Sequence, residues 1–401
     1  MAVHAFKAGS LLLTHRKAFR STIGGNVTEM DRSVMVHTDD GIQAGYQARR
    51  HIPSLTHPDG SGTNTAFSVP GDMGFRHPPV MFIWEAFVDT ETRGCRHALW
   101  TGALDTRSEM KVLIINADDL GYTEGINTGI AQCFQEGMVR SATLMANGEA
   151  FEHAVKMANK NQGLGIGIHL VLTGMRPLAR ESDVPGLLDK DGLLPSTPFA
   201  LLLLLLSGKV TRQAIWNELN QQVSRVFDAG LVPTHLDSHK HVHLLPQILE
   251  VLVDLCTRYS IKWIRRPFES QGLFPMLARV DKGHRAVLLK QYGDSRLTVP
   301  LRHQFRRTVL RAGLRMPDHF FGLSMTGIWN QASAAYLMQA LPPGVSEWMV
   351  HPGVCDRALC SGRTRLREQR EREKDILCSP FLMECAEKNG IFLKAFDEQI
   401  A

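Results

Sequence analysis

The chain has no apolar run long enough to cross a bilayer. Its longest, residues 199–206, closes on Ser207-Gly208, well short of the roughly eighteen residues a spanning helix needs. It has no large charge of either sign: +5 over 401 residues. No basic stretch is interleaved with aromatics, so a nucleic-acid partner is not indicated. Paired-cysteine motifs are missing too. The seven cysteines are odd in number and scattered, without a C-x-x-C or zinc-knuckle spacing. Free thiols in a reducing, cytoplasmic compartment are the simplest expectation. There is no G-x-S-x-G elbow, no H-E-x-x-H and no G-x-x-x-x-G-K-[ST]. Serine hydrolases of the elbow type, that class of zinc protease and P-loop nucleotide hydrolases are thereby set aside.

Regularity is also lacking in the first quarter. Residues 1–108 carry Gly, Pro, His and Thr without helical or strand period, as in HPDGSGTNTAFSVPGDMGFRHPP, which is turn chemistry with little to bury. The opening MAVHAFKAGSLLLTHRKAFR has no acidic residue, yet its LLL core is too short for a signal peptide. We expect residues 1–108 to be an irregular, poorly ordered extension without chemistry. A processing segment, or a true start at Met110, is the alternative. The working domain is residues 109–401.

From Lys111 strands and helices alternate. VLIIN (112–116) reads as a buried parallel strand, 142–146 and 164–172 as the next two, and 262–265, 319–323 and 346–350 as later ones. Helices are expected over 149–159, 211–227, 246–259, 302–315 and 331–340. The leucine run at 199–206 is read as a buried helix or a lid. Mixed Arg and Glu between 363 and 374 read as a solvated helix face. Such alternation implies a parallel α/β sheet or barrel, whose functional groups gather at the carboxyl ends of the strands.

Four polar sites fall at those ends. Asp118-Asp119 follows the first strand, His169 closes the third, THLDSHKHVH (234–243) packs four histidines with Asp237, and His351 opens an HPG turn. Extended backbone would align His235, Asp237, His239, His241 and His243 on one face. A row of imidazoles packs poorly but binds metals well. Hydrogen-bonded loop histidines, a capping aspartate pair and a satisfied core His169 are the plainer alternatives. One carboxylate and two imidazoles would leave a divalent ion open positions for water and substrate. A second carboxylate can take the proton from that water, and His351 can protonate a leaving group. Arg265-Arg266 could hold a substrate hydroxyl or carboxylate, or a helix carboxylate. Metal-assisted hydrolysis of an amide or ester fits this set.

NADDLG, GIHLVLTG, THLDSHKHVHLLPQ and VHPG, in that order, resemble the YdjC/ChbG family of carbohydrate deacetylases. The HpnK branch, associated with hopanoid biosynthesis, is similar too, through HKH and DHFFGLSMTG (318–327). The resemblance covers Met110 to the C-terminus. It implies a distorted (β/α) barrel similar to polysaccharide deacetylases and removal of acetyl from an N-acetylated amino sugar, oligosaccharide or glycolipid-linked. It implies Asp119, His169 and His239 as ligands of a divalent cation, Mg²⁺ or Zn²⁺, with Asp118 as general base and His351 as general acid. Arg266 is the candidate substrate contact, and Asp237 is placed either to orient a ligand imidazole or to serve as a strand-end hydrogen-bonder. Lys240 stands where chitin-disaccharide members tend to carry another histidine, so the sugar stays open. A basic insert, about 268–311, is expected to rebuild the substrate face. A metal hydrolase of another sugar ester or phosphoester and a non-catalytic sugar-binding protein are the competing functions. A homodimer is one open assembly.

Overall fold

The structure is a computed structural model that describes residues 30–38, 41–50, 65–67, 82–84, 110–362 and 364–396. The chain divides into two units, Met1–Ala103 and Leu104–Ala401. In the first, β1 (Met30–Thr38) pairs antiparallel with β2 (Gly41–Arg50), and β3 (Thr65–Phe67) with β4 (Phe82–Trp84). Two paired ribbons thus stand where the sequence shows no period. The other residues of that extension, and the expectations placed on them, lie outside the described residues.

The second unit runs β5 (Lys111–Leu120), α1 (Glu124–Gln135), β6 (Ser141–Leu144), α2 (Phe151–Lys160), β7 (Gly165–Leu170), α3 (Pro198–Leu206), α4 (Arg212–Asp228), β8 (His235–Ser238), α5 (Pro246–Arg258) and β9 (Trp263–Ile264). It continues α6 (Leu273–Leu277), α7 (Arg285–Arg296), α8 (Arg302–Arg311), β10 (His319–Phe321), α9 (Gln331–Ala340), β11 (Gly344–Val350), α10 (Arg357–Ser361), α11 (Glu368–Leu377), α12 (Pro380–Lys388) and β12 (Ile391–Leu393). The strands are parallel in the order β10-β11-β5-β6-β7-β8-β9. The ring closes thinly: Ile264 N donates to the Arg315 carbonyl (3.0 Å), and Ser270 N to the Phe320 carbonyl (2.8 Å). This is the parallel α/β arrangement that the alternation implies, curled into the distorted barrel that the resemblance implies. β12 pairs with Lys111–Leu113 of β5, below the stretch where β6 begins at Asn116.

Strand parity separates two kinds of interior. Leu113, Ile115 and Ala117 of β5 join the apolar layer between barrel and helices, as alternation requires. Helix α5 supplies Ile248, Leu249, Leu252 and Leu255 to that layer, spaced for one buried stripe. Pro246 opens it, at the position where a missing N–H costs nothing. Thr123 caps α1, its Oγ1 accepting from Ile126 N (3.2 Å). Inside the ring, Ile114, Trp263 and Phe396 make an apolar floor. His235 stacks on Phe396 at 3.8 Å between ring centres, and burial holds its pKa well down, so it stays neutral. A Cβ at Gly167 would lie 2.3 Å from the His235 ring, so that ring needs the glycine. Above the floor the filling is polar: Asn116, Ser141, Thr143, Asp237, Arg265 and Glu347 are fully buried.

Two expectations are corrected. In α3 only Leu201 and Leu205 are buried, while Phe199, Leu203 and Leu206 face solvent; nine residues of apolar helix have only one neighbouring surface to cover them. The 363–374 stretch is not a fully solvated face, since Arg370 and Glu373 of α11 are each 2% exposed, drawn inward by partners described below. Among the described residues no helix is long and apolar enough to cross a membrane.

Candidate active site

Neighbouring aspartates on a strand should face opposite ways. Asp119 instead takes φ +69°, and the β5–β6 register slips between Ala117 and Leu120. This bulge turns both carboxylates to one cavity, a common use of a break in a ladder. His169 occupies an inward position near the end of β7. Its Nδ1 meets Asp237 Oδ1 at 2.7 Å, and its Nε2 lies 3.5 Å from Asp119 Oδ1. β8 ends at Ser238, and the next turn brings His239 Nδ1 to 3.3 Å from the same Asp119 oxygen.

Asp119, His169 and His239 therefore offer three ligand atoms within 4.8 Å of one another. Asp119 Oδ2 is held by Arg370 Nη2 at 2.5 Å, whereas Oδ1 is buried without a hydrogen-bond partner. A buried carboxylate oxygen left unpaired between two imidazole nitrogens is costly as it stands and fits a cation well. Asp118, His169 and Asp237 form a second compact group, but both of its carboxylates already share the Arg265 guanidinium.

Arg265 lies at the centre of the barrel. Its guanidinium reaches Asp118 through Nη1 (2.7 Å) and Nη2 (2.6 Å), Asp237 through Nη1 (2.6 Å) and Glu347 through Nε (2.7 Å). Burial alone would raise the Asp118 pKa; the Arg265 charge, with His169, outweighs it and holds the carboxyl below its usual range. Asp118 is thus ionised throughout the physiological range. Burial likewise works against charge on His169, but Asp237 and Asp118 raise it to about 9. A cation at Nε2 competes with that proton. Burial pushes His351 down to about 4 despite Asp118 and Asp119, leaving it neutral at pH 7. Its backbone N donates to Glu373 Oε2 (2.7 Å), and Glu373 Oε1 accepts from Gly327 N (3.1 Å).

Asp118, Asp119, His169, His239 and His351 line one cavity of about 520 Å³. Its further walls include Lys240 and residues Gln291, Asp294, Ser295 and Thr298 of the insert. Asp237 meets the imidazole of His169, a partner of the kind expected of it. Two sequence expectations shift. Arg266 does not line the cavity; its Nη1 donates to the Asp318 carbonyl, because parity on β9 sends Arg265 inward and its neighbour out. The five-residue histidine face does not form, since Lys240 and His241 both take φ +55° and break the strand. His243 ends as a buried brace between Ser238 Oγ (2.6 Å) and the Arg265 carbonyl (3.2 Å). Of the two candidate arginines, Arg265 binds carboxylates of the protein itself, and the structure adds Glu347, Arg370 and Glu373. No local signal marks these three.

If Asp237 fixes the tautomer of His169, Asp237→Asn lowers cation affinity about 10–100-fold. Calorimetric titration of the apoprotein with Zn²⁺ measures this, and unchanged affinity would remove Asp237 from the site.

A family model described as YdjC-like protein matches residues 112–388. The chain is similar to a carbohydrate deacetylase of Geobacillus stearothermophilus, 35% identical over 286 residues, covering 71% of this chain and 96% of that protein. A carbohydrate deacetylase of Brevibacillus brevis is 33% identical over 286 residues, 71% and 98% of the two chains. A solved structure from Enterococcus faecalis V583, provisionally named for cellobiose-phosphate cleavage, is 26% identical with TM-score 0.55, covering 73% of this chain and 99% of that one.

Proposed function

Because the chain belongs to the YdjC-like family, we propose that it is a metal-dependent carbohydrate deacetylase, hydrolysing the acetamide of an N-acetylated amino sugar to amine and acetate. The observation that carries this reading is the unpaired Asp119 Oδ1, facing His169 and His239 with the Asp118 carboxylate in the same cavity. Asp119, His169 and His239 would hold the cation, and two imidazoles favour Zn²⁺ over Mg²⁺. When bound, such an ion supplies Lewis acidity and an acidified water.

The remaining work belongs to the side chains. Asp118, kept anionic by Arg265, accepts the proton of the attacking water. His351, across the cavity, delivers a proton to the departing amine nitrogen. Being neutral at rest, it takes up the proton that Asp118 has removed from the water, and its low pKa then makes it a strong donor to the amine. Asp237 and Arg370 hold the ligands in place from behind.

The test is acetate release from N-acetylated mono- and disaccharides, with metal content measured alongside. We expect one acetate per amine formed, loss of turnover with chelator, and recovery on adding back Zn²⁺. Turnover that persists in metal-free protein would overturn the reading. Phosphate release in its place would favour phosphoester hydrolysis, and tight sugar binding without turnover a binding protein.

A further inference from the structure

Two cysteines meet on the short helix that follows the HPG turn. Asp356 caps α10: its Oδ1 accepts from Leu359 N (2.7 Å), and its Oδ2 accepts from Gly125 N of α1 (2.6 Å). Cys355 is therefore the residue before the cap, and Cys360 stands on the fourth helical position. In a capped helix those two positions approach each other, and an apolar pair often fills them as a staple. Here both are thiols. Their Sγ atoms are 2.9 Å apart, about 0.9 Å more than a disulfide bond. Neither backbone is loose. Cys355 N donates to Glu371 Oε1 (2.9 Å), and Cys360 N to the Asp356 carbonyl (3.0 Å).

The two sulfurs differ in access. Cys360 is exposed, whereas Cys355 is half-buried. The hydrogen bond with Cys360, and then burial, push the Cys355 thiol up to about 11, so it keeps its proton at pH 7. Cys360 is thus the sulfur that a reagent in solution meets first. Among the described residues, no group of three or more metal-ligating side chains includes either cysteine, so the pair is not a corner of a metal site. Cys133 and Cys378 also lie near each other, at 3.8 Å, but Cys133 is buried.

We propose that Cys355 and Cys360 form a reversible disulfide, a modification site open to low-molecular-weight disulfides such as glutathione disulfide. Cys360 gives its proton to water and attacks one sulfur of the reagent. The reagent's S–S bond breaks, and the departing thiolate takes up a proton. Cys355 then gives up its proton and attacks the Cys360 sulfur, expelling the second glutathione thiolate, which is protonated in turn. Two protein thiols are oxidised, and one glutathione disulfide is reduced to two thiols. The new bond closes a ring around the α10 cap, on the segment that joins His351 to Thr364, both part of the cavity wall. This modification is independent of the deacetylase reading.

The test uses the full chain, equilibrated with glutathione disulfide, quenched in acid, alkylated and mapped by mass. We expect both thiols to be lost together, without a glutathione adduct at either position. Trypsin cuts after Arg357, so the bond leaves two tryptic peptides joined until dithiothreitol is added. In the same sample Cys133 and Cys378 should be oxidised at least about tenfold less, as buried thiols are inert. Cys355→Ser should stop the reaction halfway, with one glutathione held on Cys360.

Glutathione carried separately on Cys355 and Cys360, with no joined peptides, would overturn the proposal. So would joined peptides from Cys133 and Cys378 while Cys355 and Cys360 stay free. A Cys355→Ser protein whose Cys360 takes no glutathione would overturn it as well, by removing the sulfur through which the exchange enters.

Discussion

Arg265→Met is expected to destabilise the protein by about 3–5 kcal/mol, the range for removing one partner from a buried ionic network. Three carboxylates, Asp118, Asp237 and Glu347, lean on this one guanidinium, and all four residues are at most 2% exposed. Burial already lifts Glu347 to about 7 even with Arg265 present, so the network has no spare positive charge. Without Arg265, the carboxylates must take up protons or admit water. Arg265→Lys should recover only part of the loss, because a single ammonium cannot replace a planar fork bonded on three sides. Urea denaturation at pH 7 provides the measurement, and a change below about 1 kcal/mol would show that the barrel interior tolerates the charges by another route.

Asp118→Asn is expected to lower kcat by about 10²–10⁴-fold, the usual contribution of a general base, while the protein keeps its cation. The amide is close in shape to the carboxylate and lies outside the Asp119–His169–His239 set, so metal content by elemental analysis should match wild type. The informative outcome is the separation of the two quantities. Residual activity above a tenth would point to another acceptor for the water proton, and loss of metal would place Asp118 among the ligands.

Much of this site was legible before any coordinates. Carboxylates and imidazoles at strand ends bring one cavity to mind because parallel α/β folds expose those ends together. Asp118, Asp119, His169, His239 and His351 do meet there. What sequence pattern could not supply was local backbone conformation. Alternation alone sends Asp118 and Asp119 apart; a left-handed Asp119 within a register slip reunites them. Alternation likewise aligns five residues of the histidine run, but only His235 and Asp237 lie on β8, and beyond it the left-handed Lys240 and His241 send His239, His241 and His243 to proposed ligand, cavity wall and brace. Arg370 was hidden for a different reason. Mixed charge on a helix is ordinarily a wet surface, and only the tertiary approach of α11 to the DD turn makes that position an interior one.

The thin seam of the barrel has a consequence of its own. Backbone bonds at Arg315 and Phe320 on one side, and at Ile264 and Ser270 on the other, tie off the chain before and after α6, α7 and α8. Those helices hang between two stitched margins and contribute Gln291, Asp294, Ser295 and Thr298 to the cavity, but none of the proposed catalytic or ligand groups. They are anchored in the core by Met276, Leu288, Phe305 and Val309, so what is free to vary is the set of side chains they turn toward the cavity. Under the proposed function, exchanging those four cavity-lining residues is expected to change which sugar binds before it changes the hydrolytic step.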